Sequence, residues 1–531
     1  MNADNVILIG LDGLDWDEID TWIEDDTLSN LRELRENGTA TDLSSTHPPW
    51  TPCAWPSLLS GRNPGEHGVF DFFTRDGYNK RLIERPDVDA PYLFEAADAE
   101  NRTPLVINYP VTHPAPALEN GAVVPGYLAR EDITFHPEHL REEYESEHGE
   151  YVIYPEYGTE DNAVEEYVDV ARHRRNVARF LDERYDWNLM AVQFQVTDSI
   201  FHDLDDREKI RQILEAVDGF VGDIIDLADD PTVLVASDHG MGDYDWTFYV
   251  NSWLEEQGYC ETIEGEPQYF GQQKQGVLKG KESSETNLGA AVRLAAKTSS
   301  KVGLPPRRIH RALDAVGLAQ FVERVLPEDA LVAAQNEVVD HPNSTAYQLY
   351  FNSLGIHLNV EGRDPDGMVS EDEYETVRSK LIEKLTRVRD PEGNLVFDDV
   401  RPCEEVYDGD HLDDAPDISL FPREYRYDVS GSILDTFRRY SHKNHKPDGI
   451  LLSNRPLDTT DKPEIYDIAP TVAAELGIPI DTRNDGRVLT QQNEDLERVD
   501  WDDIASNYSD RESDTDMSNV EDRLADLGYM E

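Results

Sequence analysis

Short apolar runs recur along the first half of the chain at intervals that each leave room for one helix, and this alternation constrains the fold more than any other feature. VILIGL at residues 6–11, LVIN at 105–108, LMAVQF at 189–194 and TVLVA at 232–236 are too short for helices and nearly apolar throughout. Such runs read as strands covered on both faces. Between them, TLSNLRELRENG (27–38) and the stretches 164–185 and 207–227 repeat apolar residues at helical spacing. Thr27 or Ser29 is a candidate N-cap for the first of these, with Asn37-Gly38 as its stop, and a short helix is expected after Ala54, ending at Gly61. This alternation predicts an α/β fold, a mostly parallel central sheet flanked by helices.

After about residue 250 the pattern loosens. A β-like run at TAYQLYFNSLGIHLNV (345–360) and a helical stretch at EDEYETVRSKLIEKL (371–385) are followed by strand-like DISLF and GILLS. An amphipathic helix in EIYDIAPTVAAELGIP then stops at Gly477 and Pro479. The organisation expected is a discontinuous core from 1–250 and 411–490, an inserted cap domain at 251–410, and an acidic extension at 491–531. Inside the insertion, from Lys274 to Arg311, nine basic residues face only Glu282 and Glu285. That segment either docks on the acidic body or forms a lid that gathers an anion or touches a membrane surface.

Charge narrows the function classes. Asp and Glu number 110 against 48 Lys and Arg, a formal net charge of −62. Such a surface repels nucleic acid and anionic membranes, and its composition resembles that of salt-adapted haloarchaeal proteins, so unfolding at low salt is expected. Cys53, Cys260 and Cys403 are scattered, which suggests neither a disulfide framework nor a cysteine zinc site. The N-terminus carries no basic leader and no segment has the apolar length of a membrane span, so a soluble, cytoplasmic protein is expected.

Functional side chains of open α/β sheets gather beyond the carboxyl ends of the strands. Asp12 directly follows VILIGL, Asp198 follows MAVQFQVT, Asp238 and His239 follow TVLVAS, and His445 precedes GILLS. Asp198 and His202 are four apart, on one face of a helical turn. Singly, these residues are equally well a helix cap, a surface histidine and a turn. Together, three Asp and three His at successive sheet exits form a two-metal pattern, and mixed carboxylate and imidazole donors suit zinc, manganese or iron better than calcium. The loop after the first strand, HPPWTPCAWPSLLSGRNPGEHG (47–68), offers Thr51, Cys53 and Ser57 as nucleophiles.

In LDG, PPWTPCAWPSLLSGRNPGEHGVFDF, TDSIFH, SDHGMG, NHKPDGILL, and EIYDIAPTVAAELGIP with DGRVL, all in order, the chain resembles the alkaline phosphatase superfamily, specifically its type I phosphodiesterase and nucleotide pyrophosphatase branch. The resemblance implies Asp198, His202 and His445 as ligands of one divalent metal ion and Asp12, Asp238 and His239 as ligands of a second, zinc with manganese as the alternative. It makes Thr51 the bridging nucleophile, nine residues before Ser60 of the Ser60-Gly61 pair. Cys53 lies two residues too late, and AWPS after it lacks the arginine of the related sulfatases, which leaves Cys53 as a packing residue. Ala54 departs from the branch, whose members carry an Asn there to hold a phosphoryl oxygen; a backbone N–H at the helix N-terminus is the expected substitute. His67 is expected to brace the nucleophile loop, and His442 to lie outside the ligand set. The implied activity is metal-dependent cleavage of a phosphodiester or pyrophosphate in a small phosphorylated metabolite, through a phosphothreonine. A phosphomonoesterase, phosphomutase or phosphonate hydrolase is the alternative within the superfamily, and a sulfatase-like hydrolase or an idle binding protein stands further off.

Overall fold

The computed structural model describes residues 5–129, 133–155, 162–264, 337–350, 353–490 and 496–505. The basic stretch from Lys274 to Arg311 lies outside the described residues.

Seven strands form the central sheet, in the order Thr39–Ser44, Asp448–Ser453, Thr232–Ala236, Val6–Leu11, Leu189–Phe194, Pro104–Ile107, Ala122–Val124. Val6–Leu11 pairs in parallel with Leu189–Phe194 on one side and Thr232–Ala236 on the other, with Val6 opposite both Leu189 and Thr232. Because the three strands are in step, they end at one level, and Asp12, Gln195 and Ser237 leave the sheet along one edge. Asp448–Ser453 alone runs antiparallel to its neighbours. Its beginning therefore lies where the other strands end, which explains how His445, ahead of a strand, joins residues that follow strands.

Side chains of the sheet alternate between two cores. Ile7, Ile9, Met190, Val192, Val233 and Val235 belong to the core that also takes Leu31, Val177 and Val217 from helices Ser29–Asn37, Ala163–Asp182 and Arg207–Ile225. Val6, Leu8, Ala191, Leu234 and Ala236 belong to the other, with Leu58 and Val472 from helices Thr51–Ser60 and Ile468–Leu476. All the strand residues named are fully or almost fully buried, each large apolar side chain stabilising by about 1.5–3 kcal/mol.

Helix Ser29–Asn37 corrects one expectation. Neither Thr27 nor Ser29 caps it; Leu28 occupies the N-cap position without a side-chain bond. The first amides are satisfied from across the helix pair, where Asp218 accepts from Asn30 N at 3.0 Å and Leu31 N at 2.9 Å. A carboxylate 188 positions away in sequence does the work of a local cap.

Of the five smaller sheets among the described residues, two bear on the site. Ala346–Tyr347, Gly355–Leu358, Ile418–Pro422 and Phe397–Pro402 form a four-stranded sheet, so DISLF pairs here rather than in the central sheet. Gly240–Tyr249 leaves the site as a long strand, and Phe437–Lys446 returns along it antiparallel, placing His445 opposite Met241. Near the C-terminus, Trp501 is buried and donates Nε1–H to Pro479 O at 3.0 Å. Arg62, buried just beyond the helix Thr51–Ser60, is held by Asp481 at 2.7 Å and Asp502 at 3.0 Å. Among the described residues no helix is long and apolar enough to cross a membrane.

Candidate active site

The turn after the first strand demands glycine at position 13. Gly13 has φ +67°, and a Cβ there would lie 2.7 Å from Asp198 Oδ1, so a side chain would be strained and would displace a neighbouring carboxylate. Asp12 is thereby brought against the exits of two other strands. Helix Val196–Asp203 presents Asp198 and His202 on one face, as their spacing predicts.

The structure gathers all seven residues singled out from the sequence. His202 Nε2 and His445 Nε2 each lie 3.4 Å from Asp198 Oδ1 and 3.2 Å from each other. His239 Nε2 lies 3.6 Å from Asp12 Oδ1 and 3.3 Å from Asp238 Oδ2, and its ring stacks on that of His445 at 3.7 Å. Thr51 Oγ1 sits 3.2 Å from His239 Nε2 and 3.5 Å from Asp12 Oδ1. Two overlapping donor groups result, Asp198, His202 and His445 in one and Asp12, Asp198 and His239 in the other, with Asp198 common to both.

Electrostatics shows what such a cluster requires. Burial, with Asp238 and Asp198 nearby, pushes the Asp12 carboxyl well above its ordinary range. Burial and Asp198 push Asp238 up to about 8. Burial also works to raise Asp198, but His202 and His445 outweigh it and hold that carboxyl well below the usual range. Burial lowers His239 and His445, favouring the neutral imidazole that can ligate a metal. Asp238 Oδ2, although buried, accepts no hydrogen bond among the described residues. Three carboxyls closed off from water cannot all ionise unless cations lie between them, and this mixed carboxylate and imidazole donor set fits zinc-like ions.

The remaining loop residues are placed as follows. Thr51 opens helix Thr51–Ser60, four residues earlier than the sequence pattern suggests, because Pro52 fits a first turn that needs no amide. In the first turn of this helix the Cys53 and Ala54 amides both donate to Trp50 O at 2.9 Å, and Pro52 has none. Cys53 is packed in the core, and burial pushes its thiol well above the usual range, which disfavours the nucleophilic thiolate. His67 accepts from Val69 N through Nδ1 at 3.2 Å and meets Ser57 Oγ with Nε2 at 2.9 Å, bracing the loop as a neutral ring. His442 stacks on Tyr440 and faces Asp428, outside both donor groups.

Two residues escaped the sequence reading. Gln193 donates Nε2–H to Asp12 Oδ2 at 2.6 Å. Asp15 accepts Met241 N–H at 2.7 Å and faces Lys446 at 3.4 Å, tying together the three loops that carry Asp12, His239 and His445. A lone amide within LMAVQF and a second Asp within LDGLD were the available signals.

The family model for type I phosphodiesterase / nucleotide pyrophosphatase matches residues 6–448. The chain belongs to this family. It is accordingly a phosphoester hydrolase built on the alkaline-phosphatase-like α/β scaffold. No curated protein is a significant match. Among solved structures the chain is similar to phosphonoacetate hydrolase from Sinorhizobium meliloti in complex with phosphonoacetate, at 13% identity and a TM-score of 0.56, covering 89% of this chain and 96% of that one. Murine ectonucleotide pyrophosphatase / phosphodiesterase 5 in complex with AMP aligns at 10% identity and a TM-score of 0.49, covering 92% and 98%.

In the motif GVFDF, Asp71 is buried beneath the nucleophile loop, and burial pushes its carboxyl up to about 7, partly offset by the Phe72 amide and Ser353. With a folded pKa above the unfolded value of about 4, its contribution is full below pH ~4 and is lost as pH rises towards 7. Asp71→Asn removes that loss. The melting temperature of the variant relative to the parent should climb between pH 5 and pH 8, measured by calorimetry with metal in excess; a difference constant with pH would contradict this.

Proposed function

We propose that the protein is a metal-dependent hydrolase that cleaves a phosphodiester or pyrophosphate bond in a small phosphorylated metabolite, with Thr51 as nucleophile. The observation that carries this reading is the position of Thr51 Oγ1, within 3.5 Å of both Asp12 and His239 at the rim of two overlapping donor groups. On this reading Asp198, His202 and His445 hold one cation and Asp12, Asp238 and His239 hold the other, with zinc favoured over manganese by the imidazole content. Bound there, the pair of cations would lower the pKa of the threonine hydroxyl and offset charge on the transferring group.

Thr51 Oγ1 attacks phosphorus in line, its proton leaves to solvent, and the bond to the leaving oxygen breaks with its electron pair. Water then attacks the same phosphorus, releasing the phosphoryl product and restoring the hydroxyl. Two displacements give net retention. Ala54 removes the amide side chain that nucleotide-cleaving members use, so this chain is proposed to act on a substrate other than a nucleotide. The residues 251–410 are proposed as the cap that selects it, and the surface charge of −62 is proposed to suit a cytoplasm of high salt.

The test compares bis-p-nitrophenyl phosphate, p-nitrophenyl phosphate and a phosphonate monoester at high salt with zinc or manganese. Preference for the diester is expected. Turnover confined to the monoester would overturn the diester reading in favour of a phosphomonoesterase.

A further inference from the structure

Asp12 is gripped by its far oxygen. Oδ2 accepts Trp55 Nε1–H at 3.0 Å and Gln193 Nε2–H at 2.6 Å, while Oδ1 faces Thr51 and His239. Two donors match the two lone pairs that a carboxylate oxygen offers. Asp12 is thus offered to an incoming cation through one oxygen alone.

The grip has a support of its own. Gln193 Oε1 accepts Asn108 Nδ2–H at 2.8 Å, and the same nitrogen donates to Gln193 O at 3.1 Å. Turning the Gln193 amide over would set its oxygen against Asp12 Oδ2 and its nitrogen against the nitrogen of Asn108, so Asn108 decides which way Gln193 points. Asn108 adopts φ +64°, and Gly126 makes room for it, since a Cβ there would come within 1.9 Å of Asn108 O. Gly10 plays a similar part beneath the donors: a Cβ on it would lie 2.6 Å from the Trp55 ring and 2.9 Å from Gln193 Cγ. Asp12 is anchored at its backbone as well, where its carbonyl accepts Thr197 Oγ1–H at 2.7 Å.

We propose that Gln193 and Trp55, with Asn108 fixing the Gln193 amide, are positioning residues that restrict Asp12 to one-oxygen ligation and so set the affinity of the cation next to Thr51. A carboxylate that cannot chelate leaves a coordination position open, which is what a nucleophile and a phosphoryl oxygen both need. The proposal rests on the two-cation reading above.

The test titrates the full-length, metal-stripped chain with zinc by calorimetry at high salt, in the parent and in Gln193→Leu, Trp55→Phe and Asn108→Gly. Two binding events are expected for the parent. Gln193→Leu and Trp55→Phe should weaken one of them by about 10- to 100-fold and leave the other unchanged, and Asn108→Gly, which tolerates the positive φ, should weaken the same one. Tryptophan fluorescence should change as that site fills in the parent and lose that change in Trp55→Phe. Unchanged affinities, or equal weakening of both events, in variants whose metal-free melting matches the parent overturn the proposal. A parent that takes up no zinc overturns instead the cation reading on which it rests. Should Gln193→Leu not fold, the two other variants carry the same comparison.

Discussion

Thr51→Ala should yield a folded protein whose turnover of the diester falls by about 10⁴-fold or more. Removing a nucleophile that works as part of a unit forfeits nearly the whole covalent route and leaves only binding and electrostatic stabilisation. The folding cost should be small, because Thr51 is the first residue of its helix and the alanine side chain fills the same space less one hydroxyl and one methyl. Thr51→Ser keeps the hydroxyl and should keep most of the rate. Cys53→Ala, two residues on, is the counter-experiment: it deletes a sulfur from the core, costs stability on the order of 1 kcal/mol, and leaves turnover intact. Steady-state kinetics on purified, metal-loaded variants decides the matter. If Thr51→Ala retained parental kcat while Cys53→Ala lost it, the attacking group would have been misassigned.

The sheet and six of the seven clustered side chains could be read from the chain because both depend on patterns local to a few residues, whereas Thr51, one of three nucleophiles in its loop, was singled out only by resemblance. Apolar runs such as VILIGL announce buried strands, and the polar residue that ends each run must stand at the sheet edge. His445 was the harder case. Its place depends on Asp448–Ser453 being the reversed strand, a fact of pairing that the motif conveyed only by resemblance. What stayed hidden depends on partners far apart in sequence. The cap on Ser29–Asn37 comes from Asp218, and the hold on Asp12 comes from Trp55 and Gln193, 43 and 181 positions away. The early start of the Thr51–Ser60 helix was masked by Pro52 and Pro56, which look like breakers although a first-turn proline suits the geometry. That start engages the Cys53 and Ala54 amides with Trp50 O in the first turn.

Removing metal should destabilise the parent and expose the strain that the carboxylates store. At a free zinc concentration 1,000-fold above Kd, each site adds about 4 kcal/mol, so a chelator should lower the melting temperature by on the order of 10 °C. Asp238→Asn sharpens the prediction. In the metal-free state it deletes a buried carboxyl whose ionisation burial and Asp198 oppose, including the Oδ2 atom that accepts no hydrogen bond among the described residues, while keeping the shape that receives Gly13 N–H through Oδ1 at 3.2 Å. The stripped variant should therefore melt above the stripped parent, by about 1–3 kcal/mol in stability. With zinc restored the order should reverse, because an amide is a poorer ligand and the variant gains less from the ion. Differential scanning calorimetry at one fixed high salt concentration, with and without chelator, gives four melting temperatures whose crossing is the expected outcome. A variant that melts below the parent in both states would mean that Asp238 acts as a hydrogen-bond acceptor for the Gly13 turn and not as part of a cation site. The crossing is a demanding result, since a carboxylate kept only for folding has no reason to destabilise the protein it sits in.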